Sequence, residues 1–206
     1  MMAENREAAG GRRLLQAGLW LLIGAAAIIA TAAWYWPGQQ TLDIADYGGG
    51  SYALVDHRGN PFTPESLIGQ PALLFFGYTN CPDVCPITLG QIAAWFEELG
   101  ADAKDVGAYL VTVDPARDTA PALADYLSWA GNRVTGVTGS PDQVSSLMKA
   151  WHVTAEQVPG LDGSYTVDHT ASVFLVDAGG RFRGTIAYLE AWDTAVAKLR
   201  RLATTP

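Results

Sequence analysis

The sequence predicts an α/β domain with a mixed central sheet flanked by helices, preceded by one transmembrane helix. Three observations predict it. An uncharged apolar run stands near the start, short apolar stretches alternate with 3.6-periodic ones beyond it, and the last two apolar stretches are joined by a glycine turn. Residues 14–36 carry no charge over 23 positions, enough to cross a hydrocarbon core as a helix. Arg6, Arg12 and Arg13 precede the run and hold that side in the cytoplasm, and Trp34, Tyr35 and Trp36 end it where an aromatic belt sits. A cleaved signal peptide is the alternative, with Ala30-Thr31-Ala32 as its small-residue site. The run exceeds the ~7–15 residues of a signal core, so a retained anchor is expected. No cysteine stands at its end, so a lipid-modified N-terminus is not expected. The implied layout is a cytoplasmic segment at residues 1–13, an anchor at 14–36, a linker at 37–50 and a domain at 51–206. That domain would face the periplasm or the exterior from a bacterial inner (cytoplasmic) membrane.

Within the domain, residues 51–56 and 61–63 read as a β-hairpin turned by His57-Arg58-Gly59-Asn60. Residues 71–79 (PALLFFGYT) form a continuous apolar run of the kind that makes a fully buried strand. Ile92, Trp95, Phe96 and Leu99 follow at helical spacing, and residues 107–113 (GAYLVTV) make a second buried strand. Leu123, Tyr126, Leu127 and Ala130 repeat the helical spacing between Pro121 and Gly131. Residues 134–138 read as a short strand, and Val144, Leu147, Met148 and Trp151 as one face of a helix. Residues 172–177 and 181–188 pair across Ala178-Gly179-Gly180, and residues 194–202 close the chain as a helix. Strands and helices alternating at these lengths put helices on both faces of a sheet. The closing hairpin makes that sheet mixed. The order is that of a thioredoxin-like fold with an N-terminal β-hairpin and an insertion between its core units.

Charge excludes one class of partner. Three of the 13 basic and two of the 21 acidic residues precede Pro37, leaving 10 basic against 19 acidic beyond it. A nucleic-acid partner needs a basic face, so none is expected. The two cysteines, Cys81 and Cys85, stand four apart in an oxidising compartment. A structural disulfide gains most by closing a long loop, and clipping one turn of chain constrains little. The pair is therefore there for reactivity or metal binding.

Its setting is Tyr78-Thr79-Asn80-Cys81-Pro82-Asp83-Val84-Cys85-Pro86, where a buried strand hands over to a helix. Pro86 suits a first helical turn. Cys85 then lies near the helix N-terminus, whose dipole favours an anion, so a lowered thiol pKa is expected there. Two thiolates form a soft pair suited to Cu(I) or Zn(II). Of the three histidines, His57 reads as solvated surface in a turn and His152 as a packing residue beside Trp151. His169 lies in Tyr165-Thr166-Val167-Asp168-His169-Thr170, on the loop entering the strand at 172–177. In a thioredoxin-like sheet that loop passes beside the cysteine junction, so an imidazole there completes a Cys₂His set. Asp83 and Asp168 flank these donors as acceptors for the imidazole or sources of charge. Asp114 and Arg117, past the second buried strand, read as a pair locking the loop beneath the site, and a plain salt-bridged loop accounts for them equally well.

Three segments then carry a resemblance: Cys81-Pro-Asp-Val-Cys85-Pro86, Val113-Asp114-Pro115-Ala116-Arg117-Asp118-Thr119 and Val167-Asp168-His169-Thr170. Together with the anchor and the element order, they resemble the SCO/SenC family of copper proteins serving cytochrome c oxidase assembly, over residues 52–202. The resemblance implies Cys81, Cys85 and His169 as ligands of copper, Cu(I) or Cu(II). It implies the copper-centre subunit of the oxidase as acceptor and another copper chaperone as a donor. Thr170 stands where the family often has Ser and keeps the hydroxyl. A thiol–disulfide oxidoreductase acting on the oxidase cysteines, or a redox or copper sensor, is the rival reading. Against it, three residues rather than two separate the cysteines, Asn80 replaces an aromatic, and no proline lies between Gly160 and Pro206. Structural zinc is nearly always four-coordinate, and only three strong donors are present.

Overall fold

The computed structural model describes residues 18–28, 30–31, 47–161 and 163–205, and the chain divides into two compact units between Leu42 and Asp43. In the first unit, residues 18–28 and 30–31 are helical and exposed. Among the described residues no helix is long and apolar enough to cross a membrane. Residues 14–17, 29 and 32–36 of the expected anchor, the arginines before it, and residues 37–46 of the expected linker lie outside the described residues.

The second unit runs β1 (Leu54–Asp56), β2 (Pro61–Phe62), β3 (Ala72–Gly77), α1 (Val84–Leu99), β4 (Gly107–Thr112), α2 (Ala120–Leu127) and β5 (Val134–Thr138). It continues through α3 (Pro141–Ala150), β6 (Ala155–Pro159), β7 (Tyr165–His169), β8 (Val173–Val176), β9 (Phe182–Ile186) and α4 (Trp192–Ala203). Seven strands form the main sheet in the order β2-β1-β5-β4-β3-β8-β9. β4 lies parallel to β3 and β5, whereas β8 is antiparallel to β3, β9 to β8, and β1 to both β5 and β2. This is the mixed sheet with flanking helices that the alternation predicts.

Local chemistry explains the main elements. β3 is buried at every position, as a central strand covered on both faces must be. α1 turns Leu89, Ile92, Phe96 and Leu99 inward at three- and four-residue steps. Gly100 ends it at φ 51°, and its N–H closes on the Phe96 carbonyl. Thr119 and Ser140 cap α2 and α3, each followed by a proline in the first turn. In the β8–β9 turn the Asp177 carboxylate accepts the Gly179 and Arg181 N–H groups at 2.8 and 3.0 Å.

Two stretches differ from the sequence reading. Tyr47 and Gly48, assigned to the linker, pack on the domain: Tyr47 stacks on Phe182 at 4.1 Å and the Gly48 N–H donates to the Ala150 carbonyl at 2.8 Å. The segment read as a loop before β8 is a separate two-stranded antiparallel sheet, β6–β7, with Ala155 opposite His169 and Gln157 opposite Val167. His169 is thus the last residue of a strand. Glu156, Gln157 and Pro159 give β6 little β-propensity, and its burial is slight. Its pairing with β7 makes it a strand.

Candidate metal centre

The centre forms where β3 passes the chain to α1, outside the carboxyl ends of the parallel strands, where ligands gather in such sheets. Cys81 sits in the turn, its N–H on the Tyr78 carbonyl at 3.3 Å. Asp83 is the residue before α1, so Cys85 falls in the first turn with Pro86 behind it. The Cys85 N–H donates to Cys81 Sγ at 3.3 Å. An amide of the helix terminus therefore serves the Cys81 sulfur.

For Cys85 itself the expected depression is overturned. Its side chain is fully buried. Burial first, then the bond to Cys81, pushes its thiol well above the ordinary range. Removing a thiolate from water costs more than the dipole of the first turn returns. Gly77 admits this burial, because a Cβ there would stand 2.8 Å from Cys85 Sγ. Both cysteines are free thiols.

His169 arrives from β7, where Tyr165, Val167 and His169 turn inward and Thr166 and Asp168 outward. Its Nε2 is 3.6 Å from Cys85 Sγ. Its Nδ1 lies 3.1 Å from the Thr170 carbonyl. A carbonyl only accepts, so Nδ1 carries the hydrogen and Nε2 keeps its lone pair. Burial lowers the imidazole pKa, against the Thr170 carbonyl and the charge of Asp168. The ring is therefore neutral near pH 7. One donor atom each from Cys81, Cys85 and His169 lie within 4.8 Å of one another, and among the described residues no other group is placed to hold a metal ion.

The remaining expected residues take different places. Asp83 and Asp168 are exposed. Neither accepts the imidazole hydrogen, which the Thr170 carbonyl takes, and Asp168 acts on the ring only through charge. Asp114 and Arg117 lock the histidine strand. Arg117 Nε pairs with Asp114 Oδ2, its Nη1 donates to the Tyr165 carbonyl at 3.1 Å, and its guanidinium lies 3.7 Å over the Tyr165 ring. The Tyr165 hydroxyl returns a bond to Asp114 Oδ1 at 2.9 Å. His57 is not simply solvated, since its Nδ1 accepts the Gly136 N–H at 2.8 Å and secures β1 against β5. His152 is exposed and meets the Tyr47 ring edge-on at 4.9 Å.

Sequence reasoning missed two residues. Tyr78 accepts the Val167 N–H on its hydroxyl at 3.1 Å and ties the cysteine turn to β7. Asp118, fully buried, accepts the Thr79 N–H at 3.1 Å, the Thr79 hydroxyl at 2.6 Å and the Thr112 hydroxyl at 2.7 Å. Its own carbonyl takes the Thr138 hydroxyl at 2.7 Å. Burial raises its pKa, against those bonds. The available signal is a threonine at or just past the end of each parallel strand, at 79, 112 and 138, around one aspartate.

Known proteins resemble this chain in sequence and in fold. Protein SCO2 of the mitochondrion of Saccharomyces cerevisiae is 40% identical over 141 residues, covering 65% of this chain and 46% of that protein. A putative copper-binding protein of Stutzerimonas stutzeri is 39% identical over 65% of this chain and 66% of its own length. The match thus spans from under half to about two-thirds of these curated relatives. Among solved structures, copper-bound ScoI of Bradyrhizobium japonicum superposes with a TM-score of 0.69 at 40% identity, over 75% of this chain and 98% of that one. Copper-bound yeast Sco1 gives 0.70 at 31% identity, over 77% and 89%. The profile of the family described as SCO1/SenC matches residues 41–204, most of the chain, and the chain belongs to that family.

Proposed function

We propose that this protein is a membrane-anchored copper carrier that delivers its metal to the binuclear copper centre of cytochrome c oxidase during assembly. The observation that carries the reading is the set of Cys81, Cys85 and His169 donor atoms within 4.8 Å of one another. Two thiols that ionise on binding and one neutral imidazole with a free lone pair form a soft set suited to Cu(I), and the imidazole extends it to Cu(II). Three protein donors hold a metal without enclosing it, as a cargo requires. The copper bound in ScoI of Bradyrhizobium japonicum and in yeast Sco1 supports the same assignment. The uncharged run at residues 14–36 supports the anchor, with the domain outside the cytoplasm. Sulfur exchange as the main activity is disfavoured by the three-residue spacing of the cysteines and by His169, rather than a proline, at the position facing them.

The test is an anaerobic Cu(I) titration of the reduced protein against a competing chelator, with transfer to the apo copper-centre domain of the oxidase as the second step. One copper per chain is expected, lost in Cys81→Ala and strongly weakened in His169→Ala. Equal affinity in wild type and His169→Ala would remove His169 from the ligand set. Rapid turnover of a disulfide substrate without copper, and no transfer, would favour the oxidoreductase instead.

A further inference from the structure

The charge of the domain is unevenly spread. Five of the ten basic residues beyond Pro37 are Arg181, Arg183, Lys198, Arg200 and Arg201, all near the end of the chain. Arg183, Lys198 and Arg201 line one cavity of about 500 Å³, together with Leu175, Gly184 and Leu202. No carboxylate lines it. Arg183 is held from behind by Asp177 at 2.6 Å, and Lys198 by the Thr185 carbonyl and Glu190, each at 2.8 Å. Arg201 is exposed and has no side-chain hydrogen bond or ion pair among the described residues. A cation in the last turn of α4 complements the helix dipole, which explains Arg201 alone. It does not explain why Arg183, from β9, and Lys198, from the middle of α4, converge on the same cavity. The floor is open, since a Cβ on Gly184 would meet nothing within 4 Å.

Positioned cations beside an aliphatic wall suit a phosphate group attached to an apolar body. The rest of the domain is repelled by an anionic surface, because residues 38–180 carry 17 acidic residues against five basic ones. Attachment is thereby confined to this face. The register places the face away from the metal centre: Gly184 pairs with Leu175, and Leu175 with Leu73. Leu73 precedes Gly77 by four residues, roughly 13 Å along β3.

We propose that this cavity is a docking site for an anionic phospholipid headgroup, seating the domain on the membrane with Cys81, Cys85 and His169 held clear for a partner. The proposal rests on the anchored reading of the chain, and its test is separable from that reading. Residues 43–206 form a compact unit containing the whole core. The copper-bound relative, matched over 98% of its length by 75% of this chain, is a folded protein of that extent. The anchor-free unit is therefore sedimented with vesicles of phosphatidylcholine alone, or with phosphatidylglycerol added, at low and high salt. Binding is expected only with phosphatidylglycerol, weakened by salt. Arg201→Gln should lower it about fivefold, at roughly 1 kcal/mol per basic residue at an anionic surface. Arg58→Gln, on the exposed β1–β2 turn, should leave it unchanged, and both variants should melt as wild type does.

Equal binding to both vesicles, no binding to either, or equal loss in Arg58→Gln overturns the proposal. So does inorganic phosphate that shifts cavity resonances in a protein that ignores vesicles, since the ligand is then a soluble anion. The anchor has its own assay, retention of the full chain in membranes through an alkaline carbonate wash. Release there refutes the anchor and leaves the vesicle result standing.

Discussion

Gly77→Ala tests whether close packing under the cysteine pair sets the metal site. The added Cβ would stand 2.8 Å from Cys85 Sγ and 3.2 Å from both Leu110 Cδ1 and Phe75 Cε1. Comfortable contacts between heavy atoms begin near 3.5–4.0 Å, so the sulfur has to retreat by roughly 1 Å. Leu110 and Phe75 are fully buried and leave no other direction for relief. Overpacking of this kind costs about 1–3 kcal/mol. In the metal-free protein, rotation of the thiol away from His169 relieves part of that strain. Copper binding has to restore it, and tolerances at a metal are about 0.2 Å. The strain then appears as lost affinity, roughly 5- to 150-fold at 1.4 kcal/mol per decade. The assay is chelator competition for Cu(I) alongside thermal melting. Gly90→Ala on α1 is the control, because a Cβ there meets nothing within 4 Å, and that variant should bind normally and melt slightly higher. A folded Gly77→Ala protein with wild-type affinity would refute the reasoning.

Tyr78→Phe leaves the buried Val167 N–H without its acceptor; about 1–3 kcal/mol should be lost, seen as faster amide exchange at Val167 and weaker Cu(I) binding, and unchanged exchange would show that the tie is dispensable. Copper affinity should rise with pH by at least tenfold per unit between about pH 6.5 and 8, since the buried Cys85 thiol is protonated when metal-free and must release its proton. Calorimetry in buffers of different ionisation enthalpy should count that proton and none from the already neutral His169; a flat profile would contradict the raised thiol. Asp177 has its pKa lowered because bonds from Arg181, Arg183 and Gly179 outweigh the opposing effect of burial. Its stabilisation is therefore present above the unfolded carboxyl value, ~3.9, and lost as pH falls through the lower folded value. Asp177→Asn should cost about 1–3 kcal/mol in urea unfolding near pH 7, with the gap to wild type closing below ~pH 4; a gap constant with pH would show that its charge is irrelevant.

The backbone of the domain was legible because its signals are local. Residues 71–79 form an apolar run that has to be buried on both faces, and the helices declare themselves by three- and four-residue apolar steps. The cysteines were equally plain, since four residues and one proline fix both against a helix start. The histidine strand was harder. Tyr165, Val167 and His169 do alternate inward, but five residues are too few to separate a strand from a loop without the partner β6, whose own composition resists the reading. The Cys85 thiol departs from its sequence expectation for a different reason. Position at a helix terminus is visible in sequence, whereas the burial that overrides it depends on Gly77, from another element, making room. Asp118 escaped for the same cause, as its bonds to Thr79 and Thr112 span three elements.

The donors of the site are consequently held by unequal means. Cys81 and Cys85 hang on the junction of the central strand with α1, which Asp118 fastens through a buried carboxylate. His169 comes from a two-stranded sheet, and such a sheet is marginal by itself. It stays in place through the Tyr78 hydroxyl and through Arg117, which grips Tyr165 by carbonyl and ring together. Local opening begins where packing is thinnest, so β7 is the part of the site with the lowest cost of movement. A structural zinc ion is almost always enclosed by four protein donors. Two donors on the core and a third on a tethered hairpin suit a metal that must leave, because withdrawing one neutral imidazole lowers the coordination without exposing the thiolates to separation. The charge of the Arg117–Asp114 pair serves that tether rather than the metal itself, which places the balance between holding and release in the strand that carries His169.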